Sequence, residues 1–175
     1  MKIWQLRGVH LSVPLIFRRY ATPTIVKFTC KFTESCKYYI EGENMYDWNK
    51  LCGLKALYLK PRFDTAMCGW RYNKTKDCFE VIPYWHLGSK NHTTDDKYIV
   101  QIPVDTEFTV EIRVISTEVY KETIGVVKIK YLDEITDSRV FSKYYPYFWV
   151  VNSWFGGQEN APNTMWFFIK RNQLL

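Results

Sequence analysis

The sequence predicts an all-β chain folded as an antiparallel β-sandwich, jelly-roll-like, with about ten strands and minimal helix. Three observations carry this expectation. Apolar and polar residues alternate with period two in segment after segment, turn-rich pieces recur between those segments, and no long stretch has helical period.

The elements follow in chain order. "VHLSVPLIF" (9–17) reads as a first extended segment, and "TIVKFTCKF" (24–32) as a half-buried strand with Val26, Phe28, Cys30 and Phe32 on one face and Lys27, Thr29 and Lys31 on the other. A single helical turn is expected near "NMYDWNKLCG", where Asp47 can cap it. "LKALYLK" (54–60), "MCGWRY" (67–72) and the aromatic "CFEVIPYWH" (78–86) read as strands; Pro83, which cannot donate to a ladder, favours an edge or a bulge. "KYIVQIPV" (97–104) precedes two clear alternations. "EFTVEIRVI" sets Phe108, Val110, Ile112 and Val114 against Thr109, Glu111 and Arg113, and "IGVVKIKYL" sets Val127, Ile129 and Tyr131 against Lys128 and Lys130. "FSKYYPYFWVV" (141–151) and the closing "TMWFFIKR" (164–171) complete the set. Between them, "EGEN", "YNKTKD", "GSKNHTTDD" and "GGQENAPN" carry turn residues.

The closing strand breaks the rule of one wet face. Met165, Phe167 and Ile169 alternate with Trp166, Phe168 and Lys170, so both faces are apolar until Lys170. Such a strand lies between covered layers or beneath a partner chain.

At 175 residues the chain fits one domain, 1–175, with residues 1–44 read as an extended arm or edge strands that engage a partner. Aromatic residues reach 18 %, about double an ordinary share, which suits interfaces or sugar-stacking platforms. The formal charge of +6 is dispersed, so nucleic acid is not an expected partner. Five cysteines without CxxC spacing read as free thiols, implying a reducing cytoplasm during assembly. The amino terminus is interrupted by Gln5, Arg7, His10 and Pro14 and does not read as a signal peptide, and no apolar run is long enough for a membrane span. A soluble chain is expected.

Catalytic constellations are weak, and no catalytic residue is assigned. There is no GxSxG elbow and no Cys-His signature. The paired acids of "TTDDKY" and "LDEITD" fall in segments that read as turns, and His86 with His92, Asp95 and Asp96 makes a poor metal spacing, so neither metal nor cofactor is expected. Arg71, Tyr72, His86 and Gln101 are the residue types a polysaccharide lyase needs, but "VQIPV" has Pro103 where such a strand carries histidine.

Aromatic clusters at strand ends are the better binding candidates. Trp70, Arg71 and Tyr72, then Trp85 and His86, then Trp154 with Gln158, are the candidate glycan-binding residues; within the first group Trp70 and Tyr72 share a face and Arg71 takes the other. Candidate subunit-interface residues are Trp4, Arg18, Arg19, Trp166 and Phe168.

Several segments together resemble a known group. Asn49, Lys50, Leu51 and Gly53 match an Asn-Lys-Leu-x-Gly segment; Gly69, Trp70, Arg71 and Tyr72 match a Gly-Trp-Arg-Tyr strand; Phe155, Gly156, Gly157, Ala161 and Pro162 follow a late Phe-Gly-Gly-x-x-x-x-Ala-Pro segment, with three intervening residues here in place of four. In order and approximate spacing, over residues 45 to 170, the chain resembles β-sandwich proteins encoded by Bacteroides-type gut bacteria and their crAss-like phages. Trp154 stands where that group has tyrosine before Phe-Gly-Gly, and Asn163 where histidine often follows Ala-Pro. The resemblance implies a jelly-roll-like sandwich linked to phage virions or surface glycans, and no established reaction.

The leading expectation is a non-enzymatic structural component of a phage virion, in the tail or decorating the capsid, assembled in the host cytoplasm. Its partners would be other virion proteins or copies of itself in a ring or other homo-oligomer. The alternative is a glycan-binding module, or an inactive lyase-like jelly roll, contacting host-surface glycan.

Overall fold

Strict alternation makes several of the longest strands. The computed structural model describes residues 1–57, 63–88, 90–93, 95–141, 143–156 and 159–173, and places thirteen strands among them. They are β1 (Lys2–Gln5), β2 (Arg19–Ala21), β3 (Thr24–Phe32), β4 (Asn49–Lys55), β5 (Thr65–Asn73), β6 (Cys78–Leu87), β7 (Lys90–Thr93), β8 (Val100–Ile102), β9 (Glu107–Thr117), β10 (Glu122–Lys130), β11 (Glu134–Phe141), β12 (Tyr147–Val151) and β13 (Met165–Gln173). Two antiparallel sheets pack as a sandwich. The first runs β1-β13-β3-β9-β10-β11; the second runs β2-β12-β4-β5-β6-β7, with β8 also paired to β6. The chain changes sheets at β1–β2, β2–β3, β3–β4, β8–β9, β11–β12 and β12–β13.

The inward faces are those the alternation predicts for β3, β9 and β10. Val26, Phe28, Cys30 and Phe32 meet Phe108, Val110, Ile112 and Val114, with Val127 and Ile129 beyond, all buried. From the second sheet Leu54, Ala66, Cys68, Trp70, Phe79, Val81 and Trp85 complete the core. The centre of the sandwich is aromatic: the Phe32 ring lies 4.5 Å from Phe79, 4.9 Å from Trp70 and 5.5 Å from Phe108.

Several sequence expectations need correction. The strands number thirteen among the described residues, not about ten, because β1, β2, β7 and β11 are too short or too charged to stand out by period. "VHLSVPLIF" forms no strand: Leu11 and Val13 make single bridges, to Trp154 and Trp4. "LDEITD" is not a plain turn, since β11 begins at Glu134 and carries Asp137 inward. The single helical turn exists as a 3-10 turn at Glu43–Tyr46, but Asp47 follows it and Gly42 precedes it. Of "LKALYLK", residues 58–60 lie outside the described residues.

Pro83 sits within β6 where the far edge is interrupted. β8 pairs with Phe79–Val81 and β7 with Tyr84–Leu87, leaving Pro83 between them, so the missing donor falls at a break in the ladder.

Residues 1–44 are threaded through both sheets. β1 pairs with β13, β2 with β12, and β3 lies between β13 and β9.

Candidate functional site

Pairing register places one exposed aromatic group on the outer face of the first sheet. Trp4 of β1 lies opposite Trp166 of β13, Lys2 lies opposite Phe168, and Phe168 in turn lies opposite Lys31 of β3. Because alternate residues share a face, Ile3 and Phe167 point into the core while these five side chains point out. The indole rings of Trp4 and Trp166 have centroids 6.4 Å apart, and Phe168 meets Trp166 edge-on at 5.4 Å. The Lys2 ammonium lies 4.1 Å from the Trp4 ring centroid and 4.0 Å from that of Trp166; Lys31 lies 5.3 Å from Phe168. Trp4 is 38 % exposed and Phe168 36 %.

The backbone beneath this patch is fixed. The Trp166 carbonyl accepts from Thr33 Oγ1 at 2.6 Å and Cys36 Sγ at 3.1 Å, and its N–H donates to Ser35 Oγ at 3.0 Å. Burial pushes the Cys36 thiol up to about 11, so it acts as a protonated donor.

Arg18 and Arg19, expected in the same interface, belong to the other sheet. Arg19 is on the edge strand β2, its guanidinium 4.4 Å from the Tyr147 ring and 5.6 Å from Trp149; Arg18 lies 5.2 Å from Tyr20. The expected interface residues therefore form two separate groups.

Comparison with protein-family models and with curated proteins finds no match.

The candidate glycan-binding residues do not form one groove. Trp70 is 1 % exposed and Trp85 fully buried, both inside the core, where neither ring offers a face to a ligand. Tyr72 is buried and donates from its hydroxyl to Asp77 at 2.7 Å. Arg71, on the outer face of the second sheet, donates to Glu80 at 2.8 Å and to the Tyr46 carbonyl at 3.1 Å, with its guanidinium 4.3 Å from the Trp48 ring. His86 is buried with Nδ1 2.8 Å from Thr65 Oγ1. Trp154 is half-buried, stacked on His10 at 5.1 Å with rings nearly parallel, and exchanges two 2.8 Å backbone hydrogen bonds with Lys50. Gln158 lies outside the described residues. Of the described members of the set, only His86 and Trp154 line a common cavity.

Burial and hydrogen bonding leave Glu80 a carboxylate. Burial pushes it up, but hydrogen bonds from Asn73 and Arg71, with the charges of Arg71 and Lys76, outweigh that and hold it below the usual glutamate range. The acid thus serves to anchor Arg71. Among the described residues no cluster of three or more His, Cys, Asp and Glu side chains is placed to hold a metal ion, and no helix is long and apolar enough to cross a membrane.

Sequence reasoning missed Lys2 and Lys31, the cations of the outer patch. The signal was available in "KIWQ": Ile3 and Gln5 alternate with Lys2 and Trp4, so burying the first pair exposes the second.

Proposed function

We propose that the chain is a non-enzymatic structural subunit, of the kind the sequence resemblance links to phage virions, and that it contacts copies of itself or neighbouring virion proteins through the face built by Trp4, Trp166 and Phe168. The observation that carries this reading is that patch: three large aromatic side chains in contact, at the edge of a sheet, over a backbone held by Thr33, Ser35 and Cys36. Interface cores are enriched in such residues, and a partner that covers them gains apolar burial without first ordering the rings. Lys2 and Lys31 at its margin favour an acidic rim on the partner.

Sedimentation velocity of the purified chain, alone and with Trp166→Glu or Phe168→Glu, tests the self-contact. The expected result is an oligomer that each substitution converts to monomer while the far-ultraviolet spectrum is unchanged. A concentration-independent monomer in the native chain, together with failure to recover the chain in purified particles by mass spectrometry, would sink the reading. A glycan array checks the alternative partner: specific binding lost with Trp4→Ala would favour sugar stacking over subunit contact.

A further inference from the structure

The outer face of the second sheet is apolar at its centre. Met67 and Tyr84 are buried there with Val151, and Trp48 packs against them. Residues 10–18 cross this face, tied down by Ser12 N–H to the Ser153 carbonyl at 3.1 Å, by Ile16 N–H to Asn152 Oδ1 at 2.7 Å, and by Val150 N–H to the Arg18 carbonyl at 2.9 Å. The segment does not fill the space beneath it. A cavity of about 330 Å³ remains, lined by Leu11, Leu15 and Ile16 from the segment and by Met67 and Val151 from the sheet. That volume is within the range of small-molecule sites, roughly 300 to 1,000 Å³.

The charge around the cavity is one-sided. Arg18, Lys50 and Lys55 line it, and among the described residues no aspartate or glutamate does. Lys55 sits half-buried on the outer face of β4, opposite Trp149 of β12 and Thr65 of β5. Burial holds its ammonium below the ordinary lysine value.

We propose that this cavity binds a small amphipathic carboxylate, its apolar body between the Leu15 segment and Met67 and its carboxylate against Lys55. The site lies on the opposite sheet from the Trp4–Trp166 patch, so it stands or falls independently of the subunit contact. An apolar pocket with a few convergent polar groups fixes ligand orientation through those groups, and here all the charged ones are cations. Trp149 and Trp154, which also line the cavity, supply a fluorescence readout.

Octanoate and octanol, equal in chain length and different in charge, are the probes, followed by calorimetry and tryptophan emission on the full chain. Octanoate is expected to bind saturably, one per chain, at least about tenfold more tightly than octanol. Lys55→Met should weaken octanoate by about tenfold and leave octanol within about twofold. Leu15→Glu, at an exposed position on the segment, should weaken octanoate similarly with an unchanged circular dichroism spectrum, and it decides the matter if Lys55→Met fails to fold. Absence of saturable octanoate binding to the native chain would overturn the proposal, as would equal affinity for both probes in the native chain and in the folded variants.

Discussion

The indole N–H of Trp85 donates to a carboxylate oxygen of Asp137 at 2.8 Å, joining the two sheets near the β11 edge of the sandwich. Gly125 makes room for it, since a methyl group there would lie 2.8 Å from Trp85 Cζ3 and 3.1 Å from Phe141 Cε2. Asp137 also meets Arg139 at 3.3 Å, so the carboxylate is held from both sides. Trp85→Phe should therefore cost about 1–3 kcal/mol by leaving Asp137 short of a donor. Gly125→Ala should cost about 1–3 kcal/mol by overpacking. Because both act on one ring, the double variant should lose less than the sum by at least about 0.5 kcal/mol; urea midpoints of the four chains measure it.

Asn49 and Gly156 form a second long-range tie. The buried Asn49 donates from its amide to the Tyr38 hydroxyl at 3.1 Å, and its carbonyl oxygen accepts from the Gly156 N–H. Gly156 has φ of +70°, and a methyl group there would lie 2.1 Å from the Glu159 carbonyl oxygen. Gly156→Ala should destabilise by about 1–3 kcal/mol, more than an ordinary surface substitution, because both the backbone conformation and the close approach fail. Asn49→Ala should cost a similar amount, about 1–3 kcal/mol, through the orphaned buried N–H. Thermal and urea unfolding check both.

These ties explain why parts of the molecule were legible in the sequence and parts were not. Where a strand has one dry face, as in β3, β9 and β10, alternation names the buried residues directly. It also says that Trp70 and Tyr72 share a face, but period two cannot say which face is the core. β5 and β6 are buried almost throughout, so no wet face breaks that tie. Sequence adjacency groups Trp85 with His86, whereas the pleat sends Trp85 inward and Tyr84 and His86 to the other face. The Trp4–Trp166 pair joins residues from opposite ends of the chain, and their side-by-side placement depends on β1 choosing β13 as its partner. The double-sided apolar character of β13 did point to that face: Phe168 and Trp166 are on the outside of it. The cavity had no local signal, because it is a gap between residues 10–18 and a sheet whose outer side their packing does not complete.

The five cysteines are all buried and unpaired with one another. Burial pushes the thiols of Cys52 and Cys68 well above their ordinary value and raises Cys78 as well, so the reactive thiolate is suppressed in the folded chain. A thiol reagent such as 5,5′-dithiobis-(2-nitrobenzoate) at mildly alkaline pH should titrate none of them rapidly in the native protein and all five in denaturant. Rapid modification of one thiol in the native state would show that its strand opens locally.

Glu80 gives the fold a built-in sensitivity to acid. Its side chain is only 3 % exposed and is held by Arg71 at 2.8 Å and Asn73 at 2.7 Å. Burial alone would raise its pKa, yet the two hydrogen bonds and the nearby charges leave it lowered from the ordinary 4.5. A carboxylate with a lowered folded-state pKa contributes stability that is complete above the unfolded value and disappears as pH falls through the folded value. Glu80→Gln should therefore cost about 1–3 kcal/mol at neutral pH, where Arg71 loses its charged partner. Below 4.5 the gap between native and variant should narrow, because the native Glu80 becomes protonated while the glutamine does not change. Urea midpoints of both chains followed from about pH 7 to about pH 3 measure this, and parallel curves across that range would show that the Arg71–Glu80 pair contributes nothing to the pH dependence of stability.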